Sequence, residues 1–141
     1  VRVVALDVGS RRIGVAATDE AGIAAHPLQV LDRAGTAADV AAVLEIVARL
    51  EASTLVVGVP YELSGREGLR AKRVRVLFDA LAAALPAGVR LAEQDERFTT
   101  AEAERIMVHA GVRHADRKVV IDKQAAALIL QAWLDAAAAA G

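Results

Sequence analysis

Apolar positions dominate the start of the chain, where Val3-Val4-Ala5-Leu6 leads to Asp7, Val8 and Gly9, and Ile13-Gly14-Val15-Ala16 resumes the run. Side chains of a strand alternate, so Val3, Ala5 and Asp7 share one face while Val4, Leu6 and Val8 take the other. Apolar residues on both faces mark a strand covered on both sides. This predicts a central strand over residues 3–8 with one ionisable group set into it. The turn Gly9-Ser10-Arg11-Arg12 separates it from a second strand over residues 13–18. Asp19-Glu20-Ala21-Gly22 signals another turn, and residues 23–31 read as a third, extended segment. Together these form an antiparallel meander, with Pro27 assigning its last strand to an edge.

The period then changes. Thr36 or Asp39 can open a helix in which Val40, Val43, Leu44, Val47 and Leu50 recur at helical spacing. Thr54-Leu55-Val56-Val57-Gly58-Val59, ended by Pro60, is a continuous apolar run that reads as a buried parallel strand. A loop with Gly65 and Gly68 follows, then a helix over residues 69–85 stopped by Pro86-Ala87-Gly88, and a fifth strand over residues 89–92. Thr99-Thr100-Ala101-Glu102 is a capping box for a helix ending at Gly111, a structural task that needs no catalysis. A basic loop over residues 112–118 leads to a last helix over residues 120–139, whose apolar face carries Asp122, Ala125, Ala126, Ile129 and Trp133. The order β-β-β-α-β-α-β-α-α predicts an α/β domain with a five-stranded mixed sheet: the meander of three strands plus two parallel crossover strands, flanked by helices. Strand one lies at its centre. In such a sheet, sites form beyond the carboxyl ends of the parallel strands, where Asp7, Pro60 and the segment after Leu91 emerge.

Composition bounds this picture without changing it. A chain of 141 residues with 55% hydrophobic and 25% charged residues is expected to be one soluble globular domain over residues 1–141. No apolar run approaches the ~18–20 residues of a membrane span, and no signal-peptide pattern opens the chain, so a cytoplasmic location without membrane contact is expected. Cysteine is absent, which excludes disulfides and thiolate metal sites. The formal net charge of −1 argues against non-specific coating of nucleic acid. Basic residues nevertheless cluster in three places: Arg11 and Arg12; Arg66, Arg70, Lys72, Arg73 and Arg75; and Arg113, Arg117 and Lys118. The excess of arginine over lysine, 14 to 3, fits a genomic base-composition bias.

Three places offer carboxylates at the sheet edge: Asp7, the pair Asp95-Glu96, and Asp122. Asp7 reads either as a turn aspartate, with Gly9 supplying a positive φ, or as part of a metal or phosphate site. Asp122 reads either as an acid at a helix start or as a group pointing over the sheet end towards Asp7. Converging carboxylates repel unless a cation lies between them, and oxygen ligands favour Mg²⁺ or Mn²⁺. His26, His109 and His114 show no paired metal-ligand spacing. Clustered carboxylates with open metal positions suit phosphodiester hydrolysis, in which two ions ~4 Å apart activate water and stabilise the leaving oxygen. Arg66, Arg70 and Arg73 recur at helical spacing, as either a solvated face or a phosphate-binding stripe.

Four segments in this order resemble the YqgF/RuvX family: Asp7-Val8-Gly9-Ser10-Arg11-Arg12-Ile13-Gly14-Val15-Ala16, Val57-Gly58-Val59-Pro60, Asp95-Glu96-Arg97-Phe98-Thr99-Thr100-Ala101-Glu102-Ala103 and Ile121-Asp122-Lys123-Gln124-Ala125-Ala126. The resemblance spans residues 3–134. It implies a ribonuclease H-like fold and a metal-dependent nuclease, described for the family both as a Holliday junction resolvase and as the nuclease maturing the 5′ end of precursor 16S rRNA. It also implies that Asp7 and Asp122 bind metal together with a carboxylate of the Asp95-Glu96 pair. Glu96 is favoured, with Asp95 bracing the turn and substituting for it otherwise. The implied cofactor is Mg²⁺ or Mn²⁺ in a two-metal site. Arg11, Arg12, Arg66, Arg70, Arg73, Arg97 and Lys118 are expected to contact phosphate. The expected partners are precursor 16S rRNA and ribosomal particles or branched DNA, bound by a monomer or a homodimer.

Two departures qualify the resemblance. Residues 55–59 carry no acid where many ribonuclease H-like nucleases have their second one, and Glu62 and Ser64 stand where the family typically shows Asn and Asp. Glu62 is either a solvated loop residue or an extra ligand. Two rival readings remain. An actin-like nucleotide binder needs two lobes, for which the chain is too short. A non-catalytic RNA-binding assembly factor would keep the fold and bind RNA without metal.

Overall fold

The computed structural model describes residues 1–97 and 114–140, the latter with side chains from residue 124 onward. Strands β1 (Arg2–Val8), β2 (Arg12–Thr18) and β3 (Ala25–Asp32) form the expected meander. Helix α1 (Thr36–Arg49) crosses to β4 (Ala52–Val59), and α2 (Leu69–Ala84) crosses to β5 (Arg90–Asp95). Helix α3 (His114–Ala140) completes the described elements. The five-stranded sheet has the order β3-β2-β1-β4-β5, with β1 antiparallel to β2 and parallel to β4, and β4 parallel to β5. The sequence-based topology, with β1 in the middle and β3 at an edge, is the one observed.

Alternation along β1 divides the core into two layers. Val4, Leu6 and Val8 pack with Leu55, Val57, Val43, Ile46, Val74 and Leu77 in the layer of α1 and α2. Val3 and Ala5 pack with Val56, Ala126, Ile129 and Leu130 in the layer of α3, against which Trp133 is half-buried. Leu6, Leu55, Val57 and Leu130 are fully excluded from solvent. Burying a side chain of this size contributes about 1.5–3 kcal/mol. The sheet is thereby fixed in register, because a one-residue slip would turn Asp7 and its neighbours into the wrong layer.

Two element boundaries and the conformation of Gly9 differ from the sequence-based expectation. Strand β5 continues through Glu93, Gln94 and Asp95, which pair with Val57, Gly58 and Val59. An edge strand tolerates polar side chains, so apolar pattern alone ends it too early. Helix α3 begins at His114, taking residues 114–118 out of the expected basic loop. No Gly or Pro lies between His114 and Val120, and basic side chains are good helix formers. Gly9 is not among the glycines with positive φ. Its requirement is steric: Gly9 N–H donates to the Arg12 carbonyl at 2.8 Å, and a Cβ at Gly9 would approach that oxygen to 2.9 Å. The capping-box helix expected from Thr99 to Gly111 lies outside the described residues. No helix among the described residues is long and apolar enough to cross a membrane.

Candidate functional site

Asp7 closes the alternating run of β1 on the α3 side of the sheet. The parallel register pairs Leu6 with Val57, so the next residue of β4 alongside Asp7 is Gly58, which in turn faces Gln94 of β5. Glu96 follows directly after β5 and is anchored by its N–H to the Val59 carbonyl at 3.2 Å. Its side chain folds back over Gly58: a Cβ there would stand 2.5 Å from Glu96 Oε2 and 2.5 Å from Ile129 Cδ1. The missing side chain of Gly58 is therefore what lets a carboxylate from β5 reach across β4 towards Asp7. A glycine inside an otherwise apolar strand signals such a close approach, and it is the one sequence feature that could have found this contact.

Glu96 is 6% exposed, and its Oε2 has no hydrogen-bond partner among the described residues. Burial pushes its pKa up, the Asp7 charge and a hydrogen bond with Asp7 push it further, and the positive charge of Arg70 works against them. The result is a carboxyl raised from 4.5 to about 8. A desolvated acid facing a second acid is unfavourable as an isolated pair. It becomes favourable around a cation.

Asp95 is oriented differently. Its Oδ1 accepts from Arg97 N–H at 3.0 Å and its Oδ2 from Arg97 Nε at 2.8 Å, while Arg97 Nη1 donates to the Leu63 carbonyl at 3.2 Å. Burial works to raise the Asp95 pKa, but the side-chain and backbone hydrogen bonds and the charge of Arg97 outweigh it and hold the carboxyl below its ordinary value. Asp95 thus braces the turn, and Glu96 is the acid brought to Asp7. Asp122 lies in α3, two helical turns before Ile129; its side chain, like that of Lys118, is outside the described residues. Among the described residues no group of three His, Cys, Asp or Glu side chains is gathered for a metal.

Arg11 and Arg12 on the β1–β2 turn and Arg70 and Arg73 on α2 line one groove of about 1010 Å³ beside the ends of β1 and β4. Arg66 lies in the exposed loop before α2 and does not line it. Glu62 is in the same loop, with its side chain against Gly68. Arg33 does line the groove, and sequence reasoning missed it. Its Nε donates to Asp39 Oδ2 at 2.9 Å, its Nη1 to the Gly9 carbonyl at 3.0 Å and its backbone N–H to the Arg11 carbonyl at 2.8 Å. Asp39 is 3% exposed and also accepts from Ala34 N–H at 2.9 Å. This pair, a buried carboxylate and a partly solvated guanidinium, fixes the turn that joins Asp7 to Arg11 and Arg12. Nothing local in the sequence announces it, because its partners come from three different elements.

Comparison with known proteins bears on the fold and the family. The family model described as "RuvX: Holliday junction resolvase" matches residues 1–136. A protein of Desulforudis audaxviator named "Putative pre-16S rRNA nuclease" is 41% identical over 134 residues, covering 95% of this chain and 94% of its own. Relatives of the same name from Symbiobacterium thermophilum and Mycobacterium leprae are 42% and 44% identical, covering 98% and 96% of this chain and 94% and 73% of their own. Among solved structures, T. thermophilus RuvC in complex with a Holliday junction substrate aligns with a TM-score of 0.60 at 21% identity, covering 94% of this chain and 95% of that one. The Fowlpox virus resolvase bound to Holliday junction DNA aligns with a TM-score of 0.59 at 7% identity, covering 97% and 99%. These two likenesses establish a shared fold, that of RuvC-like, ribonuclease H-type resolvases. On the match to the family model and these relatives together, the chain belongs to the RuvX family.

Proposed function

We propose that this chain is a metal-dependent nuclease that hydrolyses phosphodiester bonds in structured RNA, with precursor 16S rRNA as its substrate. The observation that carries the reading is the buried Glu96, brought across Gly58 to Asp7 with one oxygen unsatisfied by the described residues. A buried carboxyl oxygen without a partner among the described residues, beside a second acid, fits a hard divalent cation, Mg²⁺ or Mn²⁺, whose binding would displace the Glu96 proton. Asp7 and Glu96 would hold it, with Asp122 of α3 as the third ligand and two ions in the full site. Bound there, such ions supply Lewis-acid polarisation of a phosphoryl oxygen and activation of water.

The remaining work falls to the protein's own residues. Arg70, whose charge acts on Glu96, would hold the phosphate next to the carboxylates. Arg11, Arg12 and Arg73 extend the positive field along the groove. Arg66 and Lys118 belong to the same proposed set, further from the groove. Arg97 is engaged by Asp95 and Leu63, so a phosphate contact from it exchanges one of those partners. The names of the relatives favour RNA, whereas the description of the family model favours a DNA junction as the second reading.

The test is cleavage of a pre-16S rRNA 5′-leader fragment with Mg²⁺, Mn²⁺ or EDTA, by wild type and Asp7→Asn, with a four-way DNA junction in parallel. Metal-dependent RNA cutting by wild type, lost in a folded Asp7→Asn protein, is expected. Cutting of the junction alone transfers the activity to DNA. Equal RNA binding by both proteins with no cleavage of either substrate refutes the nuclease reading in favour of an assembly factor.

A further inference from the structure

The carboxylates and the arginine groove lie on opposite faces of the sheet. Glu96 shares the space over Gly58 with Ile129, in the layer of α3 that also holds Val3 and Ala5. The groove is lined by Val8 and Val74, which belong to the layer of α1 and α2. The two regions meet at one rim, formed by Gly9 and Pro60 just past the ends of β1 and β4. Arg70 connects them, lining the groove while its charge acts on Glu96.

The groove itself is built for a polyanion with flat apolar parts. Arg11, Arg33, Arg70 and Arg73 edge it, and the 60%-exposed Val76 supplies apolar surface beside the buried Val8 and Val74. The first turn of α2 carries no acidic residue and its N-cap Gly68 offers no side-chain hydrogen bond. Basic side chains in the first turn add to the positive end of α2, which the Glu62 side chain against Gly68 offsets only in part, so a bound anion is favoured there.

We propose that this groove holds an unpaired stretch of the substrate strand, which turns over the Gly9–Pro60 rim between the carboxylates and α2. The substrate class is then a folded RNA with a single-stranded segment flanking the cleavage point, and not a continuous duplex. The inference rests on the nuclease reading for the role of the carboxylate end. Its physical basis is stiffness. A double helix is stiff: for DNA the persistence length is about 150 bp, and sharp bending costs up to about 10 kcal/mol. A single strand pivots at each nucleotide, lays its phosphates and the faces of its bases against arginines, and is bound with little sequence preference.

The experiment measures binding rather than cutting, in EDTA, by fluorescence anisotropy with the full chain. The probes are an RNA hairpin with a ten-nucleotide single-stranded tail, the blunt hairpin, and the tailed hairpin with its tail paired to a complementary strand. Wild type is expected to bind the tailed hairpin at least tenfold more tightly than either other RNA. Arg73→Glu and Val76→Glu, both at exposed positions, should each remove that preference. Arg73→Glu should also flatten the salt dependence by about 0.7 in log–log slope for each phosphate that the arginine neutralises in the wild-type complex. Equal affinity for the three RNAs, or a tail preference intact in both variants, overturns the proposal even if the protein cuts RNA. A variant-sensitive tail preference in a protein that cuts nothing supports the groove and counts against the nuclease reading alone.

Discussion

Replacing Gly58 with alanine tests the packing that brings the two carboxylates together. Gly58 does not have a positive φ, so alanine meets no backbone strain, and the narrower unfolded ensemble favours it by about 0.4–1 kcal/mol. Against this, the new methyl group would stand 2.5 Å from Glu96 Oε2 and from Ile129 Cδ1, and 3.3 Å from Ile129 Cγ1. Ile129 is 1% exposed and sits in the α3 layer with Ala126 and Leu130, so it has little room to retreat. Overpacking of this kind costs about 1–3 kcal/mol. The net expectation is a destabilisation of about 1–2 kcal/mol, or a melting temperature about 3–8 °C lower for a domain of this size. Glu96 is displaced as well, and an ångström of misplacement in a catalytic group costs on the order of 10²-fold in kcat. Ile129→Val removes the clashing Cδ1 at a cost of about 0.5–1.5 kcal/mol by itself. Combined with Gly58→Ala, it should be less damaging than the sum of the two changes. Thermal and urea unfolding of the four proteins, with RNA cleavage in Mg²⁺, reads both effects. A Gly58→Ala protein with wild-type stability and wild-type kcat refutes the reasoning, because the space above Gly58 would then not be where Glu96 acts.

Two further outcomes follow from the same geometry. Without metal, folded Glu96 keeps its proton to about pH 8, whereas the unfolded group releases it near 4.5, so the native state binds more protons across that window. Stability in EDTA should therefore fall as pH rises from about 4.5 to about 8. Mg²⁺ affinity should rise over the upper part of the same window, with proton release on binding. A Glu96→Gln protein that keeps the wild-type slope in urea midpoints, or Mg²⁺ binding that is flat with pH, would contradict this. At the β1–β2 turn, Arg33→Ala leaves the buried Asp39 carboxylate without its ion-pair partner and should cost about 3 kcal/mol. Asp39→Ala exposes only a partly solvated guanidinium and should cost less, about 1.5–3 kcal/mol. The double variant should be destabilised by less than the sum, and strictly additive urea midpoints would show that the pair does not act as a unit.

The amino-acid sequence alone carried the sheet and its strand order. Period-two alternation put Asp7 on a defined face of β1, Pro27 confined β3 to an edge, and the apolar run at Val56 and Val57 identified a buried parallel strand. These features are local: they depend on covalent geometry and on which residues must be hidden from water, and both are written in consecutive residues. The order of four short motifs also pointed to the family. Fold closure decided what the sequence left open. Asp95 and Glu96 are neighbours of the same chemical type, and only the register of β5 against β4, together with the empty space over Gly58, sends Glu96 to Asp7 and leaves Asp95 to Arg97. The clamp of Arg33 on Asp39 and Gly9, and the placement of the arginine groove across the sheet from the carboxylates, have the same origin. Contacts between elements distant in the chain are set by packing and strand register, and no local periodicity encodes them.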